Sequence, residues 1–155
     1  MKGQTHIIDH LNALLAGELT AIDQYLAHAR MYHDWGFHKL HEHTQHEMEE
    51  ERQHADSLIK RILFLEGTPD LSKREPLAIG RDVPEMLRND LGVEYKVIAH
   101  LKEVIKACEA AQDYETRRIL MQLLDDTEED HTDWLETQLG LIDRIGLQNY
   151  LQSQM

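Results

Sequence analysis

The 155-residue chain is long enough for one domain with a substantial core, and 41% apolar and 29% charged residues give it an ordinary globular balance. A formal net charge of −13 argues against a nucleic-acid partner, whose phosphates it would repel, and is compatible with attracting cations. No run of about 18 apolar residues suggests a membrane span, the opening MKGQTHIIDH lacks the apolar core of a secretory signal, and the lone Cys108 excludes an internal disulfide or a four-cysteine metal site, so the cytoplasm is the expected compartment.

Glycine and proline divide the rest. Residues 4–35 carry Leu11, Leu14, Leu15, Leu19, Ile22 and Leu26 at helical spacing, which predicts a long amphipathic helix ended by Gly36. Residues 38–65 predict a second, with Met48, Ala55, Leu58, Ile62 and Leu65 inward and Gly67 and Pro69 as the stop. Residues 67–82 hold Gly67, Pro69, Pro76 and Gly80 without a sustained period and form a connection. Val83-Pro84 opens a third helix, 83–111, with Leu87, Leu91, Ile98, Leu101 and Ile105 inward. A turn at Asp113 leads into a fourth, 114–144, marked by Leu120, Leu124, Leu135 and Ile142. Gly146 breaks it, and 147–153 is a short fifth helix.

No segment reads as a strand. The expectation is one all-α domain over 1–155, a four-helix bundle with an added short helix. A 28-residue helix is about 42 Å long, and the sixteen connecting residues reach roughly 55 Å when extended. That connection can run back along the whole bundle. One long crossover between two short-looped hairpins is the ferritin-like connectivity.

Two stretches raise a chemical question. EERQHAD holds Glu51 and His54, and TEEDHTDW holds Glu128 and His131, both Glu-x-x-His. Sixteen glutamates and eleven histidines make such pairs common by chance, but these two lie mid-helix, where residues three apart share a face. On the other two helices, Glu18 lies between Leu14 and Ile22, and Glu94 between Leu91 and Ile98, so both are expected to point inward. Glu128 shares the stripe of Leu124 and Leu135 and is expected inside; Glu129 is expected in solvent. One Glu from each of two helices plus Glu-x-x-His from each of the others is the ligand pattern of di-iron and di-manganese carboxylate bundles. The alternative is a set of satisfied core polar residues. Four carboxylates at one level of a bundle would repel one another without cations. Oxygen and imidazole donors suit iron or manganese.

MKGQTHIIDHLNALLAGEL, QYLAHARMYHDWGF, RILFLEGTPDL and DWLETQLGLIDRIGLQNYLQ, with these six residues, resemble bacterioferritin over essentially the whole chain. The resemblance implies a 24-subunit hollow cage with two-, three- and four-fold contacts. A di-iron centre there oxidises Fe²⁺ with O₂ or H₂O₂, and ferric mineral is stored inside. The implied ligands are Glu18, Glu51, His54, Glu94, Glu128 and His131, with Glu51 and Glu128 bridging. Leu147, Tyr150 and Leu151 would be exposed for contacts around the four-fold axis, and a ferredoxin-type reductant would release the iron.

Haem-binding members carry Glu-Met-x-His in the second helix, where this chain has Arg52. Arginine has no lone pair to give a metal, so homomeric cages are expected to be haem-poor. A mixed cage with a methionine-bearing sister subunit is the alternative that would supply haem b. Tyr25 is a candidate neighbour of the iron site, with a packed core tyrosine as the other reading. His46 and Glu50, at i, i+4, are a candidate cavity-side iron pair against a solvated polar face. His38, His41, His43 and His46 form a histidine-rich tract spread over several faces, and Trp35 and Trp134 are expected to pack. The rival functions are a di-iron oxygenase or peroxidase acting on another substrate, and a structural or haem-carrying cage subunit.

Overall fold

The computed structural model describes all 155 residues. The helices are α1 (Thr5–Asp34), α2 (His38–Phe64), α3 (Val83–Ala110), α4 (Tyr114–Asp125), α5 (Asp133–Ile145) and α6 (Leu147–Ser153). A seven-residue π-helical segment, Asp126–Thr132, joins α4 to α5 without a break. They form one rod, so the molecule is a four-helix bundle with a short sixth element and no strand. α1 packs on α2, α3 on the α4–α5 rod, and α1 on α3. No helix is long and apolar enough to cross a membrane.

Sequence chemistry explains the helix starts. Asp82 caps α3, accepting from the Glu85 N–H at 2.9 Å, with Pro84 in the first turn. Asp113 caps α4, accepting from the Thr116 N–H at 3.1 Å. Buried Arg61 of α2 locks this corner, donating to Thr116 Oγ1 at 2.8 Å and to Asp113 Oδ1 at 3.0 Å.

The crossover lies along α1, as its length allows. Its backbone N–H groups are taken by side chains one turn apart: Glu75 by Thr20 Oγ1 (2.7 Å), Ala78 by Gln24 Oε1 (3.0 Å) and Gly80 by His28 Nε2 (3.1 Å). The chain passes so close at Gly80 that a Cβ there would stand 2.5 Å from the Met86 backbone nitrogen. His28 Nδ1 lies 2.8 Å from buried Asp90, to which Gln24 also donates at 2.8 Å.

The core is in two parts. Ile7, Leu11, Leu15, Leu58, Ile62, Leu101, Val104 and Leu120 belong to one cluster, and Tyr32, Leu40, Met86, Leu87, Leu135 and Tyr150 to the other. Between them lies a belt of buried polar residues that includes Glu18, Gln24, Glu47, Glu51, His54, Asp90, Glu94, Thr127 and His131.

Three packing expectations need correction. Leu26 is 49% exposed. A stripe stepping by four drifts around a helix of 3.6 residues per turn, so Tyr25, Ala29 and Tyr32 take the inward face. On α4 the inward residue is Leu123, with Leu124 only half-buried. Tyr150 is fully buried in the second cluster and donates to Gln138 Oε1 at 2.8 Å, so α6 folds its aromatic ring back onto its own bundle.

Candidate metal centre

Glu18 of α1, Glu51 and His54 of α2, Glu94 of α3 and His131 of the π segment are all buried in the polar belt. Ligand atoms of Glu18, Glu51 and His54 lie within 4.8 Å of one another, and so do those of Glu51, Glu94 and His131. Glu51 belongs to both sets. Its Oε2 is 3.4 Å from His54 Nδ1, and its Oε1 is 2.8 Å from His131 Nδ1. Glu18 Oε2 lies 3.8 Å from His54 Nδ1, and Glu94 Oε1 lies 3.5 Å from His131 Nδ1. The two imidazoles stand parallel, 5.8 Å apart.

Both Glu18 oxygens, Glu51 Oε2, Glu94 Oε2 and Nδ1 of both histidines are buried without a hydrogen-bond partner. Buried polar atoms are ordinarily satisfied, and carboxylate and imidazole are the donors a divalent cation takes. The residues therefore fit two adjacent cations sharing Glu51.

The electrostatics show the same need. Burial, then the charge of Glu51, pushes Glu18 well above the usual carboxylate range. Burial and Glu51 likewise push Glu94 up to about 7, against the lowering influence of His131. For Glu51 itself burial is outweighed by the nearby carboxyl of Glu18 and the imidazoles of His131 and His54, which hold it far below the ordinary value. Burial disfavours a charged His54, but the carboxylates of Glu18 and Glu51 beside it raise it to about 11. His131 is raised in the same way by Glu47, Glu51 and Glu94. Without metal, protons do the neutralising.

A third group adjoins the second set: Glu47, Glu50, Asp130 and His131. His131 Nε2 hydrogen-bonds Glu50 Oε2 at 2.6 Å, and Glu47 Oε2 approaches the same nitrogen to 2.6 Å. One ring nitrogen cannot serve two carboxylates with one proton, and both Glu47 oxygens remain unpartnered. His43 Nε2 reaches Glu47 Oε1 at 2.9 Å while its ring stacks on Trp134. Burial opposes, but the nearby imidazoles of His131 and His43 bring Glu47 down to about 2. Exposed His46 pairs with Glu50 at 2.9 Å.

A ferritin-like domain family matches residues 8–145. The chain belongs to the ferritin family. It is 59% identical to a bacterial ferritin of Synechocystis sp. over 100% of this chain and 99% of that protein. It is 57% identical to one of Pseudomonas aeruginosa over 100% of both. A bacterioferritin of Brucella melitensis is 44% identical over 98% of this chain and 94% of its own. Membership of the family implies iron storage.

In this ferritin-family chain one sequence expectation about burial fails. Glu128 is not inside: its side chain is 40% exposed and pairs with Lys102 at 3.1 Å. The π turn is the reason. Its i→i+5 bonding widens the turn, so Thr127 and His131 take the inward face and Glu128 is carried out. Asp126 instead brings Oδ2 to 3.0 Å from His54 Nε2. Tyr25 lies against the site, its hydroxyl donating to Glu94 Oε1. Arg52 is 74% exposed and lies 3.7 Å from Glu49.

Sequence reading missed Glu47, Asp126 and Asp130, and named His43 only within the histidine-rich tract. Glu47 had a signal, since it stands one turn before Glu51 and two before His54 on the same face. Asp126 had none, because its contact with His54 depends on the π segment.

Proposed function

We propose that this chain is a cytoplasmic ferroxidase subunit that binds Fe²⁺ as substrate, oxidises it with O₂ or H₂O₂, and stores the ferric product as mineral inside a 24-subunit cage. The observation that carries the reading is Glu51, buried and shared between two three-residue ligand sets in which both Glu18 oxygens, Glu51 Oε2, Glu94 Oε2 and Nδ1 of both histidines lack hydrogen-bond partners. Two Fe²⁺ supply one electron each. With two protons they reduce O₂ to H₂O₂, or H₂O₂ to two waters, so no one-electron oxygen product is released.

The chain's own groups do the rest. Glu18, Glu51 and Glu94 offset the incoming charge, and the protons on His54 and His131 leave as the cations enter. Tyr25 orients Glu94. Glu128 is proposed as the sixth ligand and second bridge, turning in from Lys102. The contact of Asp126 with His54 favours a second reading in which Asp126 fills that role. Glu47, Glu50 and Asp130, with His46 on the exposed side, form the proposed route by which ferric iron leaves past His131 for the cavity.

An organic substrate is disfavoured: the cavity between Tyr25, Glu47 and His131 is about 10 Å³, room for about one water. A homomeric cage is proposed to be haem-poor. A sister subunit with the missing methionine would bring haem b into a mixed cage, and a ferredoxin-type donor is the proposed reductant for release.

Anaerobic Fe²⁺ titration followed by O₂ or H₂O₂ tests the reading. Two Fe²⁺ per chain should bind before mineral forms. Glu18→Ala and His131→Ala should lose the fast oxidation phase while keeping the cage. Glu128→Ala and Asp126→Ala compared side by side identify the sixth ligand by which one slows oxidation. Parent-rate oxidation in the Glu18 and His131 variants would remove the assignment.

A further inference from the structure

Polar contacts hold the crossover between α2 and α3 along most of its length. Residues 71–79 are all exposed, Leu71, Leu77 and Ile79 among them, so no buried apolar side chain anchors this stretch. Three α1 side chains take its N–H groups. Thr20 accepts from Glu75 and Gln24 from Ala78, through oxygens whose charge does not change with pH. The third acceptor is an imidazole: His28 Nε2 accepts from the Gly80 N–H at 3.1 Å.

That bond fixes the state of the ring. A backbone N–H donates, so Nε2 holds its lone pair and the neutral ring carries its hydrogen on Nδ1, 2.8 Å from Asp90 Oδ1. Both side chains are buried. Asp90 is the charged group that faces the ring from α3. From α1 come Gln24, which donates to Asp90 at 2.8 Å, and Tyr32, whose ring centre is 6.4 Å away. Tyr32 and nearby Tyr25 are neutral, since burial first and neighbouring carboxylates second push both phenols up. On the crossover, Arg81 and Asp82 follow Gly80 but are exposed, and Arg81 reaches Glu85 at 3.3 Å.

A second proton on His28 has to go to Nε2. It replaces the lone pair with an N–H aimed at the Gly80 N–H, so an attraction becomes an encounter of two donors. The segment cannot yield inward, because a Cβ at Gly80 would already stand 2.5 Å from the Met86 backbone nitrogen. It can yield outward, where residues 71–79 already face solvent.

We propose that His28 is a pH-sensitive latch: protonation of Nε2 releases the Gly80 end of the crossover, while Thr20 and Gln24 keep the rest in place. The released end gives water access to the His28–Asp90 pair. Asp90 also lines the small cavity bordered by Tyr25, Glu47 and His131, so the latch lies between solvent and the edge of the metal centre. The device rests on the strap and not on iron chemistry.

The test is hydrogen exchange of the assembled, metal-free protein, read by mass spectrometry from about pH 8 to about pH 5.5, a range in which imidazoles change charge. Rates are corrected for the chemical effect of pH, and light scattering checks that the assembly stays whole. In the parent, protection of the Gly80 amide should fall about 10-fold, the worth of one lost hydrogen bond, while that of the Glu75 amide holds. His28→Gln, whose amide oxygen accepts at every pH, should remove the fall. Asp90→Asn takes away the anion that favours the charged ring, so it should move the fall to lower pH. Parent protection at Gly80 that stays level across the range would overturn the proposal, whatever the variants do. An equal fall at Glu75 and Gly80 would overturn it too, as would a fall that neither variant alters.

Discussion

Glu94→Gln should make the metal-free protein more stable at pH 8 while disabling its iron site. Glu94 is fully buried, and burial followed by the charge of Glu51 lifts it from the ordinary 4.5 to about 7. A carboxyl raised in the folded state favours folding at low pH, and that advantage is lost as pH rises from about 4.5 through about 7. A shift of that size costs about 3 kcal/mol at pH 8 and under about 1 kcal/mol at pH 5. Glutamine keeps the shape and can still accept from Tyr25, without the charge. In chelator at pH 8 the variant should melt roughly 6–12 °C above the parent, taking 2–4 °C per kcal/mol for a chain of this size. At pH 5 the difference should nearly vanish, which separates the charge from any change in assembly. Zn²⁺ should nearly close the gap by binding the parent better; at one hundred times its Kd it adds about 2.7 kcal/mol to the parent. Parent and variant melting together at pH 8 in chelator, or a gap equal at both pH values, would refute the reasoning.

Arg61→Ala should cost about 2–3 kcal/mol by denaturant unfolding, since it strips the donors to Asp113 and Thr116 and leaves a helix cap half-buried; a loss below about 0.5 kcal/mol would show that the corner holds itself. His28→Ala should cost a similar amount, because the Gly80 N–H and buried Asp90 both lose a partner, and protease cleavage within residues 67–82 should quicken; unchanged cleavage would mean the crossover does not depend on this bond. Arg52→Met should give the purified cage a Soret band with bis-thioether character that the parent lacks, and a stoichiometric band already present in the parent would refute the haem-poor reading.

Much of the architecture was legible because it is written in punctuation and period. Gly36, Gly67, Pro69 and Gly146 mark where helices cannot continue, and sixteen residues without a period imply a crossover long enough to span the bundle. The inward glutamates were legible for the same reason: Glu18, Glu51 and Glu94 interrupt apolar stripes, and an acid on such a stripe needs a partner inside. The π turn was not legible. A periodic reading assumes 3.6 residues per turn throughout, and in DDTEED every rotation of the helix offers a carboxylate to the interior. Only the packing decides that Asp126 reaches His54 while Glu128 pairs with Lys102. Glu47 was hidden differently, inside the run HEMEEE, where neighbouring acids resemble a solvated face. Its burial follows from its place one turn before Glu51.

The divided core and the displaced Glu128 have one physical origin. Two apolar clusters hold the bundle from either end, so the polar belt between them can keep carboxylates that hydrophobic residues would have made unnecessary. Within that belt an α-helical turn would hold Glu128 and His131 on one face. The π segment instead sets Glu128 against Lys102, at the place where the proposed sixth ligand would have to turn in. Glu128 on Lys102 and Asp126 on His54 then form one arrangement, with the metal-free charges met by protons and a lysine. Under the proposed function, a metal-bound arrangement would have Glu128 facing the belt and Asp126 released. Lys102 is 61% exposed, so its pairing with Glu128 is weak and a cation in the belt can outcompete it.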